Sequence, residues 1–170
     1  MQLKLGTVAL TPETAVRTML NNRGVINNFQ IVQKQLTPAG TLVVYNYIRH
    51  QAMQPPILVF GYALVTLRVG GWSVNSANLA KVSLSDPVSY ATTSIGNDLL
   101  VYGYVSNAHI AAIEATVDTG AVMKLNMAHN GFSGVVAHAH SVRELRVMRN
   151  TQEILATYNL PTVVQQSNDE

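Results

Sequence analysis

A chain of 170 residues suits one domain or two small halves, and it buries enough surface to fold without a metal or a disulfide. Cysteine is absent, which excludes disulfides, zinc–thiolate sites and thiol catalysis. Charged residues make up only 12%, against about 25% in ordinary domains, the net charge is +2, and no like-charge run or basic stretch interleaved with aromatics marks a nucleic-acid partner. Asn, Gln, Ser and Thr cover the surface instead, as in Asn21-Asn22, Asn27-Asn28 and Thr92-Thr93-Ser94. Such neutral surfaces suit secreted proteins and subunits packed against their own copies. The start, Met1 to Leu10, lacks the long apolar core and cleavage site of a signal peptide, although a mature chain could have lost one. The longest apolar run, Ile57 to Leu67, is too short for a membrane span, which takes about 20 residues.

Thr11-Pro12-Glu13 opens a helix: Thr11 caps free N–H groups, Pro12 fits the first position and Glu13 suits the positive end of the dipole. Val16, Met19 and Leu20 give it one apolar face, and Gly24 stops it. The period then changes to two. Val25 to Leu36 is a strand, Thr37-Pro38-Ala39-Gly40 a turn, and Thr41 to Arg49 a central strand with both sides apolar. Gln51 to Pro56 is a loop, Ile57 to Val69 a strand, Gly70-Gly71 a hairpin turn and Trp72 to Val82 the returning strand.

Leu84 to Asp98 reads as polar and irregular, and the boundary between halves falls there. Strands follow at Leu99–Val105, Ile110–Val117, Ala121–Met127 and Phe132–His138. Ser141 to Leu160 fits two patterns. Ser141-Val142-Arg143-Glu144 matches a capping box, with Val142, Leu145 and Met148 at helical spacing. Leu145 with Val147, and Ile154 with Ala156 and Tyr158, fit two strands joined at Asn150-Thr151, and this is the preferred reading. The polar tail Gln165 to Glu170 is expected to be loose.

The tetrapeptide Asp118-Thr119-Gly120-Ala121 resembles the nucleophile turn of retroviral-type aspartic proteases. That resemblance implies a homodimer, because the family needs two carboxylates sharing one proton and this chain has one Asp-Thr-Gly. Thr116 stands where that family carries an apolar residue, and Val135-Val136 is followed by Ala137 rather than Gly. The competing reading is a two-residue hairpin turn between Ile113–Val117 and Ala121–Leu125, with Gly120 at positive φ. A broader resemblance links the chain to uncharacterised, often exported bacterial proteins. It rests on Ile113-Glu114-Ala115-Thr116-Val117-Asp118-Thr119-Gly120, Gly131-Phe132, Val142-Arg143-Glu144-Leu145-Arg146 and Tyr158-Asn159-Leu160. Gly61-Tyr62-Ala63 and Gly70-Gly71-Trp72 fit as well; the pattern implies turn and core roles but no activity.

Two further constellations stand out. His138 and His140 would share one face of a strand, and with His129 could ligate zinc or copper; ordinary polar residues at a strand end are the alternative. Tyr45, Tyr47, Tyr62 and Trp72 could line a ligand cavity between helix and sheet, or simply pack the core. The sequence therefore predicts a mostly β (α+β) chain: residues 1–84 form a helix on a four-stranded antiparallel meander, and residues 85–170 a β-sandwich-like half. The expected function is a non-catalytic structural or protein-interaction module, self-assembling or extracytoplasmic, with a homo-oligomer or protein partner, no cofactor and no nucleic acid. Small-ligand binding and the dimeric protease are the alternatives.

Overall fold

The computed structural model describes residues 8–150 and 153–159. The expectations for residues 1–7, Thr151, Leu160 and the tail Gln165 to Glu170 lie outside the described residues. Helix α1 (Pro12–Asn21) begins where the sequence places it. Thr11 is extended, and its Oγ1 accepts the Thr14 N–H at 3.1 Å. Asn22 and Arg23 close the last turn on Thr18 and Leu20, and Gly24, at φ 147°, releases the chain into the sheet.

Four strands follow as an antiparallel meander: β1 (Val25–Thr37), β2 (Gly40–His50), β3 (Ile57–Arg68) and β4 (Gly71–Lys81), adjacent in that order. Ala15, Val16 and Leu20 of the helix pack on Val43, Tyr45, Tyr47, Val59, Ala63 and Val65. Burying a side chain the size of Val or Leu contributes about 1.5–3 kcal/mol. The alternate residues Leu42, Val44 and Phe60 are buried too, which is why β2 and β3 read as apolar on both sides. Glu13 meets Lys34 at 2.6 Å, tying the helix start to β1. The Lys34 hydrogen bond holds the Glu13 carboxyl below its ordinary range, but the pair is half-exposed and stabilises little.

The chain divides into two compact units, ending and starting at Ser83 and Leu84. The second unit holds β5 (Val88–Ile95), β6 (Asp98–Val105), β7 (Ala112–Val117), β8 (Val122–Lys124), β9 (Asn126–Ala128), β10 (Gly131–Val136), β11 (Val142–Met148) and β12 (Ile154–Asn159). They form two four-stranded antiparallel sheets, ordered β5-β6-β10-β9 and β12-β11-β7-β8. Leu99, Val101 and Phe132 of one sheet share a core with Ile113, Ala115, Leu145 and Val147 of the other, as in a sandwich.

Three local expectations are corrected. Leu84–Asp98 is not irregular throughout, since Val88–Ile95 is an edge strand whose Ser and Thr residues are partly exposed. Its Gly96-Asn97 is the hairpin turn into β6, with Gly96 at φ 59° in the first central position. The expected strand Ala121–Met127 is broken at buried Leu125, so β8 and β9 belong to opposite sheets. Phe132–His138 stops at Val136.

The segment 141–160 holds two strands within its described residues, and the helical spacing of Val142, Leu145 and Met148 has a local cause. The register of β11 on β7 slips between Val142 and Glu144, and on β12 between Val147 and Met148. The first slip adds one residue to β11 and turns its period of two locally into three between Val142 and Leu145, whereas the second puts its extra residue, Leu155, on β12.

Gly103 makes the tightest approach in the second unit. It lies between Tyr90 of β5 and Phe132 of β10, and a Cβ there would run into the Phe132 ring and the Ser89 carbonyl. Gly70, by contrast, has nothing within 4 Å of such a Cβ. Gly103→Ala should lower the unfolding free energy by about 1–3 kcal/mol through overpacking, while Gly70→Ala should stay within about 0.5 kcal/mol of the parent. Urea unfolding curves of the two variants check this.

Candidate functional site

The Asp118 motif lies on the β7–β8 hairpin. The Gly120 N–H donates to the Val117 carbonyl at 2.9 Å, and the Val117 N–H to the Ala121 carbonyl at 3.0 Å. The loop therefore has three residues, 118–120, not two. Gly120 at φ 87° completes the bulged turn that such loops use.

The Asp118 carboxylate accepts the backbone N–H of His140 at 3.1 Å, and the Asp118 N–H donates to the Ser141 carbonyl at 3.0 Å. Asp98, at the start of β6, accepts the backbone N–H of His138 at 3.2 Å. The segment 137–141 carries the chain from β10 in one sheet to β11 in the other. Two carboxylates from two hairpins hold that crossing, two residues apart.

This arrangement stabilises the ionised form of Asp118. The His140 N–H, helped by the backbone around Ser141, lowers its pKa from the ordinary value of 3.8. Through these bonds to His140 and Ser141 the turn acts as a staple. Thr119 adds only a long 3.5 Å contact to the Ala121 N–H.

The three histidines are not brought together. His129 and Asn130, at φ 51° and 62°, are the two central residues of the β9–β10 hairpin, the type I′ pattern. His138 lies beyond the other end of β10 at φ 55°, in a turn. A strand of that length spans about 20 Å, so His129 and His138 sit at opposite ends of it. His138 and His140 are off the strand, both exposed, and the shared strand face expected for them does not form. Among the described residues no group of three His, Cys, Asp or Glu side chains is placed to hold a metal.

The aromatic set divides as well. Tyr45 and Tyr47 are fully buried on the helix side, with ring centroids 6.1 Å apart. Burial pushes the Tyr47 phenol pKa up, against the pull of Arg49 and Arg23. Tyr62 alternates to the opposite face of the sheet, next to Gly61 and Ala63. Trp72 faces an open groove of about 610 Å³ that runs between α1 and β4, with Met19, Arg23, Val74 and Val8 also on its walls.

No family model, no curated protein and no solved structure matches this chain. The functional reading rests on geometry. Two features of that geometry are absent from the sequence reading. The Asp98–His138 staple joins residues 40 apart, and nothing local signals it. The apolar Leu67 and Val69 beside the Gly70-Gly71 turn were visible, since turn flanks are ordinarily polar.

If Asp118 is a staple, Asp118→Ala should speed hydrogen exchange of the His140 amide and lower the Tm, and Asp118→Asn, which keeps an acceptor oxygen, should do so less. The folded pKa is depressed, so the contribution is complete above 3.8 and is lost as pH falls through the lower folded value. An NMR titration in which the His140 amide shift follows the Asp118 carboxyl, with a midpoint below 3.8, checks the sign.

Proposed function

We propose that this chain is a non-catalytic structural or protein-interaction module that assembles with copies of itself through a strand edge. The observation that carries the reading is the character of β12 (Ile154–Asn159). It is an edge strand of its sheet, six residues long, with no charge and no proline. Ile154 and Leu155 are 51% and 36% exposed. Edge strands ordinarily carry a charge, a bulge or very few residues, which discourages a second chain from pairing. Among the other edges, β1 has Lys34 and two register slips, β4 ends in Lys81, β8 carries Lys124 in three residues, and β9 has only three residues. β5 is uncharged but clad in Ser and Thr. β12 alone joins length, neutrality and aliphatic exposure, and its one register slip, at Leu155, lies at the start of the strand.

The candidate catalytic groups support the same reading, because Asp118 is engaged in holding a loop crossing. No helix among the described residues is long and apolar enough to cross a membrane. Small-ligand binding remains a second reading, favoured by the groove that Trp72 lines.

Native mass spectrometry and sedimentation should show the parent associating as concentration rises. The double variant I154K/L155K should stay monomeric at concentrations where the parent assembles, with a Tm close to the parent's, since both side chains are exposed. A parent that remains monomeric throughout would overturn the assembly reading.

A further inference from the structure

The modest overall charge hides a strong partition. Residues 1–83 hold seven of the eleven Lys and Arg residues but only one of the nine acids, for a net charge of +6. Residues 84–170 hold four cations and eight acids, for a net charge of −4. The one acid of the first unit, Glu13, is already paired with Lys34. That unit offers an anionic partner many cations and almost no repulsion.

The exposed aliphatic side chains of the same unit gather at one end. In an antiparallel meander the β1–β2 and β3–β4 turns share an end of the sheet. Leu36 flanks the first turn and is 81% exposed; Leu67 and Val69 flank the second, with Val69 fully exposed. The Trp72 N–H donates to the Ala9 carbonyl at 3.0 Å, which fixes the 8–10 segment against the second turn. Val8 and Leu10, both exposed, are held beside it. Five of the seven large exposed hydrophobics described in this unit therefore lie at that end. Arg68 stands between Leu67 and Val69, while the register sets Arg49 and Lys81 at the opposite end of the sheet.

We propose that this end of the first unit docks peripherally on an anionic lipid surface. The aliphatic side chains at the turns enter the headgroup boundary, and Arg68, set between two of them, meets lipid phosphates and carboxylates, with the unit's single acid already paired. Two features favour a bilayer over other anionic partners. Nucleic acid would engage the cations but leave Leu36, Leu67 and Val69 in water. A folded protein would need a pocket for two projecting turns, whereas a bilayer interface accepts a convex apolar tip that carries an arginine. The inference is independent of assembly through β12.

The test is flotation of the full chain with vesicles of equimolar phosphatidylserine and phosphatidylcholine, against vesicles of phosphatidylcholine alone. Trp72 is the sole tryptophan and lies at the base of the tip, so its emission reports docking. Binding to the anionic vesicles only is expected, with a blue-shifted Trp72 emission and weakening as salt is raised. L67S/V69S and R68Q should each weaken binding, the double variant by about tenfold or more, with Tm values unchanged because these side chains are exposed. I154K/L155K should bind the vesicles as the parent does, which separates docking from self-association. Equal binding to both compositions, no binding to either, or L67S/V69S binding like the parent would overturn the proposal. Binding to a DNA duplex that R68Q weakens and L67S/V69S does not would also overturn it, in favour of a nucleic-acid partner.

Discussion

Both units are built around a glycine set opposite an aromatic ring on the neighbouring strand. Gly61 of β3 faces Tyr45 of β2, and a Cβ on it would lie 3.0 Å from the phenol oxygen and 2.5 Å from the Asn78 carbonyl. Gly103 of β6 faces Phe132 of β10 in the same way. In each case the missing side chain lets a large ring lie flat over the adjacent strand and stay buried. The rest of each core is arranged about that ring. Tyr45 contacts Phe29 and Tyr47 at centroid distances of 5.7 and 6.1 Å, and Arg17 sits 5.0 Å above Phe29. A ring held in this way gives large apolar burial and a defined register, because sliding by one residue would set the ring against a Cβ.

Register matters most in the second unit, where the chain changes sheets twice within a short stretch. It crosses at Leu125, between β8 and β9, and again at 137–141, between β10 and β11. The first crossing is held by packing: Leu125 is buried, its N–H bonds to the Ile113 carbonyl at 2.9 Å, and Gly134 leaves room for its side chain. The second is held by charge-assisted hydrogen bonds from Asp98 and Asp118, with buried Ala139 between the two bonded residues. A carboxylate accepts a backbone N–H more strongly than a neutral group does. This explains why an acid occupies each of these positions, and it gives Asp118-Thr119-Gly120 a structural role. The Asp fixes the neighbouring crossing, and the Gly closes the loop that aims it.

The sequence was legible where one local rule decides an element. Thr11, Pro12 and Gly24 mark α1, and the Thr37–Gly40 and Gly70-Gly71 turns mark the meander. It was misleading where tertiary context intervened. The polar residues of β5 disguise an edge strand, and the bulge near the start of β11 imitates the spacing of a helix. Nothing in the pattern of 121–127 reveals that its two halves pair with different sheets, since the bend at Leu125 depends on Ile113 and Gly134. The same holds for the candidate sites. His138 and His140 share a face only if 137–141 is a strand, and the two carboxylates make it a crossing instead. Tyr45, Tyr47 and Tyr62 could not be sorted from Trp72 without knowing which face the helix covers and where along it a groove is left.

The partition of charge changes what the low overall charge means. A net +2 spread evenly over 170 residues would exert little field, whereas +6 on one unit acts on an anionic surface within a Debye length of about 8 Å at physiological salt. Each Lys or Arg near an anionic leaflet contributes about 1 kcal/mol, and each buried methylene about 0.8 kcal/mol. Neither a few cations nor a few partly inserted Leu and Val side chains is sufficient alone, since a single acyl anchor holds a protein only marginally. Together they reach useful affinity only when the apolar turns and the basic residues face the same surface. Arg68, between exposed Leu67 and Val69, meets that condition at the turn end of a unit whose single acid is already paired. The exposed aliphatic residues of β12 lie in the other unit, where acids outnumber cations and an anionic surface is repelled. Similar apolar exposure thus suits different partners in the two units, because the charge around it differs.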